Sequence, residues 1–226
     1  VGLQLGTGHV GGGAGPGGRV PGLPEPAPGG RSGEPGLVVL LNHPATRGPS
    51  AWLQRWVHLL PPAATVLDLA CGSGRNLRWL VAQGYRLTGV DRDESVVTPL
   101  KALAEIVVAD IEAGPWPLPG RRFGAVLVTH YLWRPLLPII IDSVADGGCL
   151  IYDTFADGQQ TVGRPSRPDF LLQPGELLHA CAGLRVVAYE DGFLTEPDRF
   201  VQRVVAARGA APGSRFALEG QPGTGS

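Results

Sequence analysis

The segment Val66-Leu67-Asp68-Leu69-Ala70-Cys71-Gly72-Ser73-Gly74-Arg75-Asn76 constrains the fold more than any other part of the chain. It reads as a buried strand running into a glycine loop that opens a helix. Glycine lacks Cβ, so Gly72 and Gly74 let the backbone take positive φ and let a ligand approach it closely. A helix that begins near Arg75 aims its unpaired N–H groups and the positive end of its dipole at an anionic group. Asp68 stands before the glycines, where a carboxylate suits a ligand that also carries an ammonium.

A second strand, Tyr85 to Asp91, ends in another acid. A carboxylate at the tip of the second strand of a βαβ unit can accept hydrogen bonds from both hydroxyls of a ribose. A third strand, Glu105 to Ala109, ends in Asp110, a candidate partner for an adenine amino group. Ala125 to Thr129 is continuously apolar, as buried parallel strands are, and Gly147-Gly148 is the expected turn into a fifth strand, Cys149 to Thr154. Two further strands are expected near Leu184–Tyr189 and Phe200–Ala206.

Helices are expected between them. Ser50 caps one over Ala51 to Leu60, whose Trp52, Trp56 and Leu59 recur at helical spacing before Pro61 and Pro62 stop it. Its role is to pack on the sheet or, alternatively, to cover the cofactor. Others cover Arg75–Gln83, Leu136–Val144 and Glu176–Ala182, and Asp93 caps a less regular one that Pro99 kinks or restarts. Strand-helix alternation of this kind predicts an α/β class, doubly wound Rossmann-like sheet with right-handed crossovers. Ligands in such sheets sit beyond the carboxyl ends of the strands, at the switch in strand order. That brings Asp68 to Gly74, Asp91, Asp110 and Thr129-His130-Tyr131 around one crevice.

This series resembles the class I S-adenosylmethionine-dependent methyltransferases over roughly Pro49 to Arg208. The Cys-Gly-x-Gly-Arg-Asn stretch is similar to that of the small bacterial tellurite-resistance type. His130-Tyr131-Leu132-Trp133-Arg134-Pro135 and Pro168 to Leu178 resemble a branch of such proteins. The resemblance implies a mostly parallel sheet with an antiparallel last strand, and S-adenosylmethionine as cofactor. It also implies that Ala70, Gly72 and Gly74 line the methionine part, with Asp68, Cys71 and Arg75 beside them. Arg75 then binds the cofactor carboxylate or merely solvates a helix end, and Cys71 is a packed residue with no activating base nearby. Asp91 would hold the ribose, Asp110 with Ile111 the adenine, and Thr129 would border both cofactor and acceptor. His130 and Tyr131 are the catalytic candidates, His130 as a base or as a support for the methionine end.

Some positions depart from the pattern. Ala70 stands where many relatives have glycine, His130 where asparagine is expected, and Trp133 where histidine is expected. The connection Ala156 to Pro174 is long for a compact domain and should hang over the crevice. Its Arg164 and Arg167 would meet an acidic substrate or be solvated charges.

Composition narrows the classes. With 226 residues, 43% hydrophobic, and a formal net charge of −1, the chain can bury one core and shows no basic excess for nucleic acid. Its three cysteines lack metal-type spacing, so no metal is expected, and they fit a reducing cytoplasm better than a disulfide framework. No run reaches the roughly 18 apolar residues of a membrane span. Residues 1–36, rich in Gly and Pro, are expected to be a disordered tail, 37–209 the domain, and 210–226 a flexible end. The expected partner is a small-molecule methyl acceptor, with no nucleic acid and no membrane, in a monomer or homodimer. Two rivals are weighed. One is a nicotinamide-dependent oxidoreductase, disfavoured because Leu77 stands where its third glycine is needed. The other is a non-catalytic S-adenosylmethionine-binding protein.

Overall fold

The computed structural model describes residues 48–219, so the expectations for 1–36, and for the chain end from 220, lie outside the described residues. Within the described residues seven strands form one sheet in the order β3-β2-β1-β4-β5-β7-β6. They are β1 (Thr65–Leu69), β2 (Arg86–Asp91), β3 (Glu105–Val108), β4 (Phe123–Thr129), β5 (Val144–Phe155), β6 (Arg185–Leu194) and β7 (Arg199–Ala207). β1 to β5 pair in parallel, and β7 lies antiparallel between β5 and β6. The predicted doubly wound sheet is therefore present, and its last strand runs antiparallel as the family resemblance implied.

Side chains alternate between the two faces of each strand, so a strand buried on both sides feeds two cores. β4 shows this directly. Val126 and Val128 join one cluster with Leu69, Tyr152 and Val204, while Ala125 and Leu127 join the other with Val66, Ile151 and Val205. Helices α1 (Ala51–Trp56), α2 (Arg75–Ala82) and α3 (Glu94–Val97) cover the second cluster through Trp52, Trp56, Leu77, Leu80 and Val97. Helices α4 (Leu137–Asp142) and α5 (Glu176–Ala180) cover the first through Ile140 and Leu177.

α1 is too short to be stable alone; burial holds it. Trp52 and Trp56 are each 1% exposed and meet edge to face at 5.5 Å, and the Trp52 Nε1–H donates to the Val204 carbonyl at 3.3 Å. Ser50 is the N-cap. The expected helix over 51–60 ends its α-helical part at Trp56 and tightens into a 3₁₀ turn over Val57–Leu59 before the prolines. This helix packs on the sheet.

Several boundaries differ from the sequence reading, each for a local reason. α2 stops at Ala82, and α3 at Val97, where a 3₁₀ turn with Pro99 near its start takes over. The helix expected over Leu136–Val144 is a 3₁₀ turn followed by α4, and Val144 already belongs to β5. Gly147-Gly148 is accordingly a bulge within β5: Val144 pairs with Phe123 and Cys149 with Ala125, leaving 145–148 opposite Gly124. Gly147 takes φ 76°, and a Cβ on Gly148 would stand 2.8 Å from the Gly124 carbonyl oxygen, so both glycines are required there. α5 ends at Ala180, and β6 and β7 extend past the apolar segments that announced them. Residues 210–219 form no helix or strand; the Ala217 carbonyl lies 3.0 Å from His58 Nε2, and Arg185 lies over the Phe216 ring.

Candidate functional site

The chain reverses direction across the sheet between β1 and β4, and the crevice lies beyond their carboxyl ends. The loop after β1 is left-handed at every second residue: φ is 52° at Ala70, 51° at Gly72 and 76° at Gly74. For Ala70 this conformation costs roughly 1 kcal/mol, which glycine would not incur. Gly74 has a second reason to be glycine, since a Cβ there would stand 2.6 Å from a methyl of the fully buried Leu100. A Cβ on Gly72 would meet nothing within 4 Å, so the loop faces open space at that point.

Asp68 lies beneath this loop at 1% exposure; no side chain donates to its carboxylate oxygens, and the Leu77 N–H is the backbone donor that bears on them. Burial raises its pKa to about 7, against the opposing pull of the Arg75 charge. A buried carboxylate left in that state is costly unless a cation or donor joins it. Cys71 is buried beside it, and burial, then the charges of Asp68 and Asp91, push its thiol far up, so it stays an inert packing group.

Asp91 ends β2 and ties the loop in place. Its Oδ2 accepts from the Gly72 N–H at 2.8 Å and its Oδ1 from the Asp93 N–H at 3.0 Å. Asp110 follows β3, and its Oδ1 accepts from the Glu112 and Ala113 N–H groups at 3.0 and 3.1 Å, which lowers its pKa. Between these tips opens a cavity of about 150 Å³, bordered by Ala70, Asp91, Asp110, Ile111, Glu112 and Tyr131. Arg92 borders it too.

The residues predicted at the tip of β4 are also here. Thr129 Oγ1 accepts from Asn76 Nδ2 at 2.9 Å. His130 takes φ 56°, its N–H donates to the Asp153 carbonyl at 2.8 Å, and its ring lies 5.0 Å from that of Phe155. A bulky residue held in this left-handed region marks a locally constrained position. Tyr131 has a buried hydroxyl beside Glu112; burial first, then the Glu112 charge and hydrogen bond, raise its pKa and keep it a phenol at neutral pH. A second cavity, of about 250 Å³, lies on this side, bordered by His130, Thr154, Phe155, Pro165 and Phe170, with Glu112 and Tyr131 shared between the two cavities. Pro165 and Phe170 come from the long connection, which does reach the crevice. Arg167 in that connection pairs with Asp169 at 2.7 Å, on the exposed surface.

Sequence reasoning missed three groups. Asn76, 3% exposed, accepts from the Ser50 N–H at 2.9 Å while holding Thr129, and Ser50 Oγ–H donates to Asp153 Oδ2 at 3.1 Å. This chain of bonds links the start of α1 to the tips of β4 and β5. The signal for Asn76 was present, as the last residue of the loop motif. Arg134 was read only as part of a similar segment. Its guanidinium grips Glu176 through two bonds at 2.7 and 2.9 Å and donates to the Asp169 and Leu171 carbonyls at 2.8 Å. Although burial would raise the Glu176 pKa, the Arg134 bonds and the Gln173 N–H lower it overall. The third group is Arg92 with Glu112, whose only signal was adjacency to Asp91 and Asp110.

Strand order, glycine loop and acidic strand tips together define a class I methyltransferase fold. Residues 66–147 match the family model described as a methyltransferase domain. Among solved structures it is similar to TehB from Haemophilus influenzae, with 22% identity and a TM-score of 0.52 over 64% of this chain. It spans 57% of the length of that protein. A S-adenosylmethionine-dependent methyltransferase from Methanosarcina mazei matches at 14% identity and TM-score 0.55, covering 67% of this chain and 95% of that one. Another from Mesorhizobium loti matches at 18% and 0.53, covering 66% and 94%. No curated protein matches the chain.

Proposed function

We propose that the protein transfers a methyl group from S-adenosylmethionine to a small-molecule acceptor, and that it does so in the cytoplasm. The carrying observation is the buried Asp68 carboxylate, which no side chain hydrogen-bonds, beneath a loop whose backbone turns left-handed at Ala70, Gly72 and Gly74. That arrangement fits a ligand with an ammonium group and a closely approaching chain. In this reading Asp68, Ala70, Cys71, Gly72, Gly74 and Arg75 surround the methionine part. Asp91 uses the remaining lone pairs of its oxygens for the ribose hydroxyls, and Asp110 and Ile111 flank the adenine in the smaller cavity. Thr129, at the tip of β4 next to His130, borders both cofactor and acceptor.

When bound, the cofactor supplies a methyl carbon already activated by its sulfonium. The task left to the chain is to position the acceptor within roughly 3–3.5 Å of it and to exclude water. His130 and Tyr131 belong to the acceptor side. Tyr131, kept protonated by its surroundings, donates a hydrogen bond, and His130 holds the acceptor or takes its proton. The free, buried cysteines Cys71, Cys149 and Cys181 support a reducing compartment. Among the described residues no helix is long and apolar enough to cross a membrane.

The oxidoreductase rival loses support from the fold. Dinucleotide-binding sheets of the common type end in parallel strands, whereas β7 here runs antiparallel between β5 and β6. Leu77, in place of a third glycine, is fully buried in the core. Titration calorimetry tests the proposal: S-adenosylmethionine and S-adenosylhomocysteine are expected to bind, and NAD is not. Binding of NAD with no response to either sulfur nucleoside would overturn it. Affinity without turnover across broad acceptor panels would instead favour the non-catalytic rival.

A further inference from the structure

The larger cavity has a chemical character that bears on its occupant. Four of its eight lining residues carry aromatic rings: the His130 and Phe155 rings lie 5.0 Å apart, Tyr131 is shared with the smaller cavity, and Phe170 joins them, with Leu132, Thr154 and Pro165 alongside. Glu112 supplies a carboxylate at the same boundary, and no arginine or lysine is among the lining residues. Arg134 is engaged by Glu176, and Arg167 by Asp169 while lying 5.2 Å over the Phe170 ring; Arg92 borders the smaller cavity, which shares Glu112 and Tyr131 with this one. The buried Tyr131 hydroxyl lies beside the Glu112 carboxylate, so both groups face this boundary together.

Each feature selects in the same direction. Aromatic faces carry negative electrostatic potential and attract cations. A carboxylate in a partly enclosed cavity attracts an ammonium and repels an anion, and the lack of a lining cation leaves an anionic ligand uncompensated. A cavity of about 250 Å³ suits a single ring system with a short side chain, not a peptide. We infer that this cavity takes an aryl-alkyl amine, its ring against the side chains of Phe155, Phe170 and His130 and its amine at Glu112 and the Tyr131 hydroxyl, in preference to a carboxylate or an inorganic oxyanion. The inference rests on the methyl-transfer reading for the cavity's role as the acceptor site; the binding preference itself does not depend on turnover.

The test is a matched ligand panel. Tryptamine, phenethylamine and benzylamine are compared with indole-3-propionate, hydrocinnamate and phenylacetate by NMR titration of the full chain, with and without saturating S-adenosylhomocysteine. The amines are expected to bind at least tenfold more tightly than their acids, with shifts at His130 and Phe170. Glu112→Gln should shrink that ratio to below threefold, while Phe170→Ala should weaken amines and acids alike. Acids binding as tightly as amines, a ratio unchanged in Glu112→Gln, or no amine binding at all would each overturn the inference. Failure of S-adenosylhomocysteine to bind, with the amine preference intact in the nucleoside-free arm, would reject the cofactor reading and leave this one standing.

Discussion

At the scale of single residues, two carboxylates divide the work of the crevice. Asp91 already receives the N–H groups of Gly72 and Asp93, so it both shapes the loop and faces the cavity. Asp91→Ala should therefore weaken S-adenosylhomocysteine binding by roughly 1.5–3 kcal/mol, the range for charge-assisted hydrogen bonds. Calorimetry on the folded variant measures this, and an unchanged dissociation constant would refute the ribose assignment. Ala70→Gly makes an instructive companion, because it releases the left-handed alanine but adds freedom to the unfolded chain. The two effects are each about 1 kcal/mol and oppose one another, so the midpoint of thermal unfolding should move little. The strand-tip acids and the glycines were legible in the sequence because each follows an apolar run directly. Asn76, Arg92 and Glu112 were not, since their roles depend on which strand tips the topology brings together.

Among the elements, the long connection after β5 owes its position to one side chain on another segment. Arg134 reaches Glu176 and two carbonyls of the 168–171 turn, and Gln202 on β7 steadies the same stretch by accepting from the Leu177 N–H and donating to the Gln173 carbonyl. Lysine offers a point charge and cannot reproduce a forked grip. Arg134→Lys should thus weaken acceptor-side binding several-fold and leave S-adenosylhomocysteine affinity near its original value, which parallel titrations with an amine and with the nucleoside would read. Equal losses for both ligands would show that the grip serves the whole domain. Helices and buried strands could be read from periodicity, whereas this grip could not: Arg134 and Glu176 are far apart in sequence, and each alone reads as a solvated helix-end charge. β6 and β7 also outran their sequence signals, because residues such as Glu190 and Asp191 sit in strand positions that are open to solvent.

For the whole molecule, the buried acid sets a pH dependence of unusual sign. Asp68 has a folded-state pKa of about 7, above its unfolded value of 3.8, so the folded protein binds the extra proton between those limits. Stability from this group is greatest at the acidic side and falls as pH rises through the window, with the full penalty present above about pH 7. Glu105 acts the opposite way. The Arg121 and Thr88 hydrogen bonds hold it at about 2, so its contribution is present above the ordinary carboxylate value and lost as pH falls from there through about 2, and its exposure keeps the effect small. The ligand-free protein should accordingly be more stable at pH 5.5 than at pH 8. Asp68→Asn should flatten that slope and raise the melting temperature at pH 8, while weakening nucleoside binding. Calorimetric scans across pH 5 to 8 check both, and a variant with the parental slope would assign the pH dependence elsewhere.

The insertion of β7 between β5 and β6 has a consequence for biosynthesis. A ribosome delivers β6 before β7, yet among the described residues β6 pairs with the sheet only through β7. Until residues 199–207 emerge, the edge of β5 that carries Leu150, Ile151 and Tyr152 stands open, and β6 waits beside it with no paired neighbour. An apolar edge in that condition is a template for pairing with other chains. The last strand of the sheet is thus also the guard of its middle, and the interval in which the nascent chain needs protection from its neighbours lasts until that strand has been made.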